Sequence, residues 1–334
     1  MKIEDTLVYA VKNKDKNVVK NSSSGGLFTA LTDAFLNDGY AVASCIYNYE
    51  TDGVEYKVYN DYLTRDSARG SKYIQASIGT GFKDLSEWLI RNPEKELIAF
   101  GTGCQMEGLR RFLELKHLRE RVVIVDLICH GATSPGVWKK YLICKEIKGK
   151  IQYLSFKDKR NGWHDPTVYA KVEGKEVSIK DFSEWFYGGW AIRESCYKCP
   201  FAKIDRNSDI TIGDYWGIEE AIPQFADQMG VSLALIHTEK GMELFNRIKE
   251  YIFYQESDKI HCKQPRLISP AVKPKDRNQF WFDIEKKGIE YCLSNYKERV
   301  AFIPFEKRLF LKIKLCLKKL KKDVSANNRK KQSV

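Results

Sequence analysis

The sequence holds no run of about 18 apolar residues, so no membrane-spanning helix is expected. Its start, Met1-Lys2-Ile3-Glu4-Asp5, lacks the basic-then-apolar pattern and small-residue cleavage site of a secretory signal, which points to a cytoplasmic protein. No GxGxxG occurs, which excludes a Rossmann dinucleotide fingerprint, and no internal repeat is visible. Acids are nearly missing from one stretch. Between Lys307 and Val334, eleven Lys or Arg stand against a single acid, Asp323, so this stretch carries +10 of the chain's +12 and leaves +2 for residues 1–306. A nearly neutral body with a basic end is not a nucleic-acid-binding domain, and no nucleic acid is expected as partner.

What is present suffices for a large core. The 334 residues are 43% hydrophobic, with 17 Phe, 18 Tyr and 7 Trp, enough for two ordinary domains or one large one. In the first half, helix and strand signals alternate. Leu27, Leu31, Ala34 and Phe35 fall at helical spacing behind a serine N-cap. Tyr40–Tyr49 reads as a strand, Asp52-Gly53 as a tight hairpin turn and Val54–Tyr59 as the return strand. Helices follow at about 81–91, 106–115 and 135–147, interleaved with apolar strands at 96–100 and 121–128. This pattern implies an α/β fold with a layered, mixed sheet over residues 1–148. Residues 149–303 read as an irregular α+β region, with strands at 151–156, 167–172, 208–212 and 231–237 and a helix at 240–251. Residues 304–334 form a basic tail, in which Leu309, Phe310, Ile313, Leu317 and Leu320 recur at helical spacing before a polar, disordered end. Such a segment can lie on an anionic membrane surface at the inner face, or simply pack one helical face.

Nine cysteines in a cytosolic chain do not read as disulfides. Gly101-Thr102-Gly103-Cys104-Gln105 follows a strand and precedes a helix. Its glycines permit a tight turn and close approach of a ligand to Gly101 and Thr102, and a helix N-terminus favours a thiolate, although an incidental cysteine in a glycine-rich turn fits too. Asp126-Leu127-Ile128-Cys129-His130-Gly131 ends a second apolar strand. Ligands of open α/β sheets gather beyond the carboxyl ends of strands, so both cysteines could share one rim. Cys196-Tyr197-Lys198-Cys199-Pro200 adds two thiols at a spacing that grips one metal or cluster. Cys104, Cys129, Cys196 and Cys199 match the count of a [4Fe–4S] cluster, and equally of structural zinc. Cys45, Cys144, Cys262, Cys292 and Cys316 sit in apolar patterns and read as packing residues. Ser22-Ser23-Ser24-Gly25-Gly26 offers hydroxyls and free N–H groups to a phosphate, or an ordinary cap to its helix. Arg69-Gly70-Ser71-Lys72-Tyr73 adds cations and an aromatic face suited to a phosphate and an isoalloxazine ring.

Asn21–Gly26, Gly70–Tyr73, Gly101–Gln105, Asp126–Gly131 with Ser134-Pro135, Lys157–Trp163, Cys196–Ala202, Arg206 and Asp209–Gly217 recur in the same order in a known family. Over roughly residues 20–300 the chain resembles the beta subunit of coenzyme F-420 hydrogenase and its dehydrogenase relatives. The resemblance implies an oxidoreductase with bound FAD and a [4Fe–4S] cluster, which passes electrons between a hydride carrier (a deazaflavin or nicotinamide) and a separate electron-transfer protein. It implies that Ser23, Ser24, Gly25, Gly26, Ser71, Lys72 and Tyr73, with Gly101 and Thr102, bind the flavin, and that the four cysteines hold the cluster. Lys72, Lys157 and Arg160 would act at the reacting centre, with Asp214 bracing it. Residues 1–148 would then be the flavin-binding region. Two features depart from the pattern. No CxxCxxCxxxCP ferredoxin segment precedes the body, and Gly103 stands where relatives commonly have Pro. Short bacterial relatives of this form accompany surface-polysaccharide enzymes such as pyruvyl transferases. That leaves a non-catalytic, metal-stabilised partner in polysaccharide assembly as the alternative reading.

Overall fold

The computed structural model describes residues 2–297. The basic tail, with its amphipathic stripe and Cys316, lies outside the described residues. Eleven strands run in chain order as β1 (Lys2–Asn13), β2 (Ala41–Asn48), β3 (Gly53–Tyr59), β4 (Leu97–Thr102), β5 (Val122–Leu127), β6 (Ile151–Asp158), β7 (Thr167–Val172), β8 (Lys175–Ser178), β9 (Ile210–Asp214), β10 (Ser232–Thr238) and β11 (Ile252–Ser257). Eight of them make one mixed sheet in the order β11-β1-β10-β9-β5-β4-β2-β3, and β6-β7-β8 form a separate antiparallel meander. The strands β2, β4, β5 and β9 are mutually parallel at the centre, while the outer pairs are antiparallel.

Alternation along the central strands explains the layering, since successive side chains point to opposite faces. Ile98, Phe100, Val123 and Val125 pack on one face against Leu27, Leu31 and Phe35 of the helix Leu27–Leu36 and against Leu244 and Phe245 of the helix Glu239–Ile248. Leu97, Ala99, Val122 and Ile124 pack on the other face against Leu85 and Leu89 of the helix Gly81–Arg91 and Met106, Leu109 and Leu113 of the helix Gly103–Leu115. A strand covered on both faces must be apolar throughout, which is why β4 and β5 are continuous apolar runs. A further aromatic cluster (Trp138, Tyr141, Phe156, Phe182, Trp185 and Phe280) fills the space between β6 and β7 and the helices Pro135–Cys144, Lys180–Gly188 and Arg277–Lys286.

The α/β class holds, but the boundary expected at residue 148 cuts through one sheet. β9, β10 and β11 return to pair with β5 and β1, and the described residues form one compact unit. Residues 2–13, to which the sequence analysis assigns no element, form the twelve-residue β1, flanked by β10 and β11. Cys262 and Cys292 are fully buried, in keeping with packing roles. Among the described residues no helix is long and apolar enough to cross a membrane.

Candidate functional site: a four-cysteine rim

The site begins at the carboxyl ends of β4 and β5. These parallel neighbours pair Gly101 with Asp126 and Thr102 with Leu127, so Cys104 and Cys129 each emerge two residues beyond the last paired position. Cys104 lies in the first turn of the helix Gly103–Leu115, whose start is closed by Gln105 Oε1 accepting from Thr102 N at 3.0 Å. The loop after β5 is held from three sides: Ile128 N donates to Ile212 O at 2.9 Å, Gln75 N to Thr133 O at 2.9 Å and Arg193 N to Ala132 O at 3.1 Å. The last of these brings the CxxC turn, Glu194–Lys198, alongside.

Two glycines make that approach possible. A Cβ on Gly103 would lie 2.8 Å from Phe201 Cβ, and one on Gly131 would meet Ile192 at 3.0 Å. Both contacts join a rim loop to the CxxC segment, and neither leaves room for a side chain. Beneath them lies a buried ion pair. Arg206 Nη1 donates to Asp126 Oδ2 at 3.1 Å and to Leu127 O at 3.0 Å, and its Nε donates to Lys203 O at 3.1 Å. The chain following Cys199 is thus tied to the strand preceding Cys129. Asp126 also accepts from Thr211 Oγ1 at 2.5 Å, yet burial outweighs these partners and lifts its carboxyl above the usual range.

The four thiols lie within electrostatic reach of one another. Burial, then the neighbouring Cys196, Cys104 and Cys199, push the Cys129 thiol up to about 12. Burial likewise raises Cys196, again with Cys104 and Cys199 contributing. Two of the thiols have local partners: Cys104 Sγ lies 3.2 Å from Thr102 Oγ1, and Cys129 Sγ donates to Gly131 O at 3.4 Å. Among the described residues, no three His, Cys, Asp or Glu side chains stand as they are in an arrangement that could hold a metal ion. The donor set, all sulfur, nevertheless fits an iron–sulfur cluster, and fits zinc as well.

The residues expected around a flavin fall into two adjoining loops and several separate places. Ser23 Oγ accepts from Ser71 N at 2.9 Å and contacts Ser71 Oγ at 3.1 Å, which brings the Ser22–Gly26 and Gly70–Tyr73 segments together. Ser24 Oγ donates to Val231 O at 2.7 Å. Gly25 is packed by the protein itself, because a Cβ there would come within 2.3 Å of Val11 O. Gly26 caps its helix in the left-handed conformation, at φ 85°. Lys72 Nζ donates to the carbonyls of Ala68, Arg69 and Gly70, and burial pushes its amine down to about 8. Tyr73 stacks flat on Phe186, ring centroids 4.2 Å apart, and its hydroxyl meets that of Tyr187 at 2.5 Å. Gly101 is crowded by Met106 and Gln105 of the following helix. Lys157 Nζ pairs with Asp214 Oδ2 at 2.5 Å and lies over Trp216, and burial lowers its pKa against the pull of Asp214. Arg160 belongs to none of these groups. Its guanidinium is exposed and committed to Asp158 and Glu176 on the three-stranded sheet.

Residues 94–260 match the family described as the C-terminal part of the beta subunit in coenzyme F420 hydrogenase/dehydrogenase. The chain belongs to this family. Among solved structures, a chain of the F420-reducing [NiFe] hydrogenase complex from Methanosarcina barkeri, studied by xenon derivatization, is similar at a TM-score of 0.52 and 17% identity, over 74% of this chain and 81% of that one. At that identity the likeness is one of fold. No curated protein matches the chain in sequence.

In this member of the F420 hydrogenase/dehydrogenase beta-subunit family, three basic residues near the rim went unflagged by sequence reasoning. Lys159 Nζ donates to Val19 O, Ser24 O and Met229 O, which fixes the serine-glycine loop from below, and burial, then Lys157, push its amine down to about 7. His130 rests against Phe186 and Tyr187, with ring centroids 5.0 and 5.5 Å away, and its buried Nε2 has no hydrogen-bond partner. Arg266 lies within electrostatic reach of Cys129 and Cys199. Lys159 and His130 carried a usable signal, their places in the Lys157–Trp163 and Asp126–Gly131 motifs, and Arg266 carried none.

Proposed function

We propose that this chain is an iron–sulfur flavoprotein in which Cys104, Cys129, Cys196 and Cys199 hold a [4Fe–4S] cluster and the adjoining Ser22–Gly26 and Gly70–Tyr73 loops hold FAD. Electrons pass between a hydride carrier, a deazaflavin or nicotinamide, and a separate electron-transfer protein. The observation that supports this reading is that Cys104 and Cys129 emerge side by side beyond the carboxyl ends of two neighbouring parallel strands, with Cys196 and Cys199 of the CxxC segment within electrostatic reach of Cys129. When bound, the flavin would supply the exchange of a hydride for single electrons, and the cluster a one-electron relay. The chain's own residues bind and orient. Gly103 and Gly131 let the CxxC segment dock, and Arg206 with Asp126 fixes that segment's exit. Lys159 and Ser71 hold the serine-glycine loop, and the Tyr73–Phe186 stack gives a flat, water-excluding surface between that loop and His130. A separate electron partner fits the neighbour from Methanosarcina barkeri, which is part of a hydrogenase complex.

The test is anaerobic purification from iron-replete cells, followed by metal analysis and a visible spectrum with and without NADH, NADPH or reduced deazaflavin. The expected result is a yellow-brown protein with about four irons per chain that bleaches with one of these donors. Colourless, iron-free protein would overturn the reading. One zinc without flavin would instead support a metal-stabilised, non-catalytic partner in polysaccharide assembly.

A further inference from the structure

Arg266 lies on the short turn Pro265–Ile268. The segment carrying it starts where Gln264 Nε2 donates to Asp214 O at 2.8 Å, and it ends where Ala271 packs with Ile192 and Phe186 beside Cys196. Arg266 Nη1 donates to Ser269 O at 3.1 Å, whereas its Nε is buried with no hydrogen-bond partner. The side chains that act electrostatically on this guanidinium are the thiols of Cys129 and Cys199. Neighbouring buried cations are each engaged: Arg206 by Asp126, Lys157 by Asp214, and Arg277 by Glu194.

A guanidinium does not shed its proton in a protein. Arg266 is half-buried, and its Nε–H, shut off from water without a partner, is unfavourable until an acceptor arrives. Protonated thiols are neutral and do not answer that need. A cluster bound by four thiolates does, being a dianion that becomes a trianion on reduction. We infer that Arg266 is the charge partner of the thiolate centre, supplying the compensating cation and a free N–H donor that stabilise its reduced form. The inference rests on the ligand set proposed above.

The test uses full-length protein as wild type, Arg266→Gln and Arg266→Lys, loaded anaerobically with iron and sulfide. Iron content and visible absorbance report loading, and a mediated titration followed by electron paramagnetic resonance reports the midpoint potential. Arg266→Gln is expected to load, with its reduced-to-oxidised ratio at fixed potential lowered at least tenfold, a downward shift of about 59 mV for a one-electron couple. Arg266→Lys should recover at least half of that shift. Loss of iron from a folded Arg266→Gln but not from Arg266→Lys supports the same conclusion. An unchanged potential in loaded Arg266→Gln, or iron loss from both variants, overturns it. Should the wild type take up zinc and no iron, the proposed function falls while this inference is read on zinc: affinity weakened tenfold in Arg266→Gln alone supports it, and equal affinities overturn it. A wild type that binds neither metal sinks both.

Discussion

Replacing Arg206 by Met separates the two jobs of the buried ion pair. Arg206 is 5% exposed and Asp126 2%, so the variant leaves a carboxylate inside the protein with only neutral hydroxyls, those of Thr211 and Ser208, as its side-chain partners. Removing one partner of a buried pair costs about 3–5 kcal/mol. The lower end is expected here, because burial already raises the Asp126 pKa and lets the orphaned carboxyl take up a proton. At roughly 2–4 °C per kcal/mol, a loss of about 3 kcal/mol lowers the thermal midpoint by about 6–12 °C. The deficit should shrink in acid. A carboxyl whose folded pKa lies above its unfolded value contributes stability that is present at low pH and lost as pH rises through the folded value.

The double variant Arg206→Met/Asp126→Leu removes both charges, and apolar replacement of a whole buried pair is often neutral or stabilising. Its melting, followed by circular dichroism, should therefore return most of the way to wild type. Metal loading should not return, since the bonds from Arg206 to Lys203 O and Leu127 O, which tie the CxxC exit to β5, remain lost. A single variant within about 0.5 kcal/mol of wild type, or a double variant as unstable as the single, would refute the account of the pair.

Two further outcomes follow from neighbouring residues. His237, 4% exposed and bonded to Thr211 and Thr6, has its pKa held down to about 4 by burial, then by Arg206. Between pH of about 6.5 and about 4 the unfolded chain therefore binds a proton that the fold refuses, so stability falls as pH falls, by on the order of 3 kcal/mol across the window; unfolding midpoints of wild type and His237→Gln that run parallel over this range would contradict it. Gly103→Ala gains roughly 1 kcal/mol of helix propensity but drives a methyl to 2.8 Å from Phe201 Cβ, and overpacking of about 1–3 kcal/mol should win; lower stability and weaker iron retention are expected, relieved in part by Phe201→Ala.

The parts of the fold legible from sequence are those whose local signals agree with their tertiary setting. The apolar runs of β4 and β5 announce burial on both faces, and Asp52-Gly53 marks the β2–β3 hairpin because Asp52 adopts a positive φ, 50°, that suits such a turn. β1 was not legible. Its first half carries Lys2, Glu4 and Asp5, and only Val8–Val11 is buried without a break, so no period of two emerges until β10 and β11 enclose it. β11 hides likewise, since Phe253 and Tyr254 are exposed and break the alternation, and the strand follows at once on the helix Glu239–Ile248 and its 3-10 continuation Lys249–Tyr251, where the expected helix also ends. At the site, Cys104 and Cys129 can be placed at strand ends by reading alone, because each follows an apolar strand and a turn signal. Arg160 misleads for the opposite reason. Its motif is sound, but Glu176, sixteen residues on, pairs with it at the surface.

What the basic residues of the site do is less legible in the sequence than where they stand. Loops that leave the sheet have no ladder to satisfy their carbonyls, and a buried carbonyl must find a donor. Here long cations supply it. Lys72 serves residues 68, 69 and 70, Lys159 serves 19, 24 and 229, Arg206 serves 127 and 203, and Arg277 serves 192. Lys72 closes its own segment, whereas Lys159, Arg206 and Arg277 reach segments remote from them in sequence, and a solitary Lys or Arg in a string gives no sign of this. Arg266 differs in its neighbours: like Arg277 it has a buried Nε with no hydrogen-bond partner, but where Arg277 faces Glu194, Arg266 faces the thiols of Cys129 and Cys199. Among these cations, then, four close backbone carbonyls, and the fifth, Arg266, besides its bond to Ser269 O, has the rim thiols as its electrostatic neighbours.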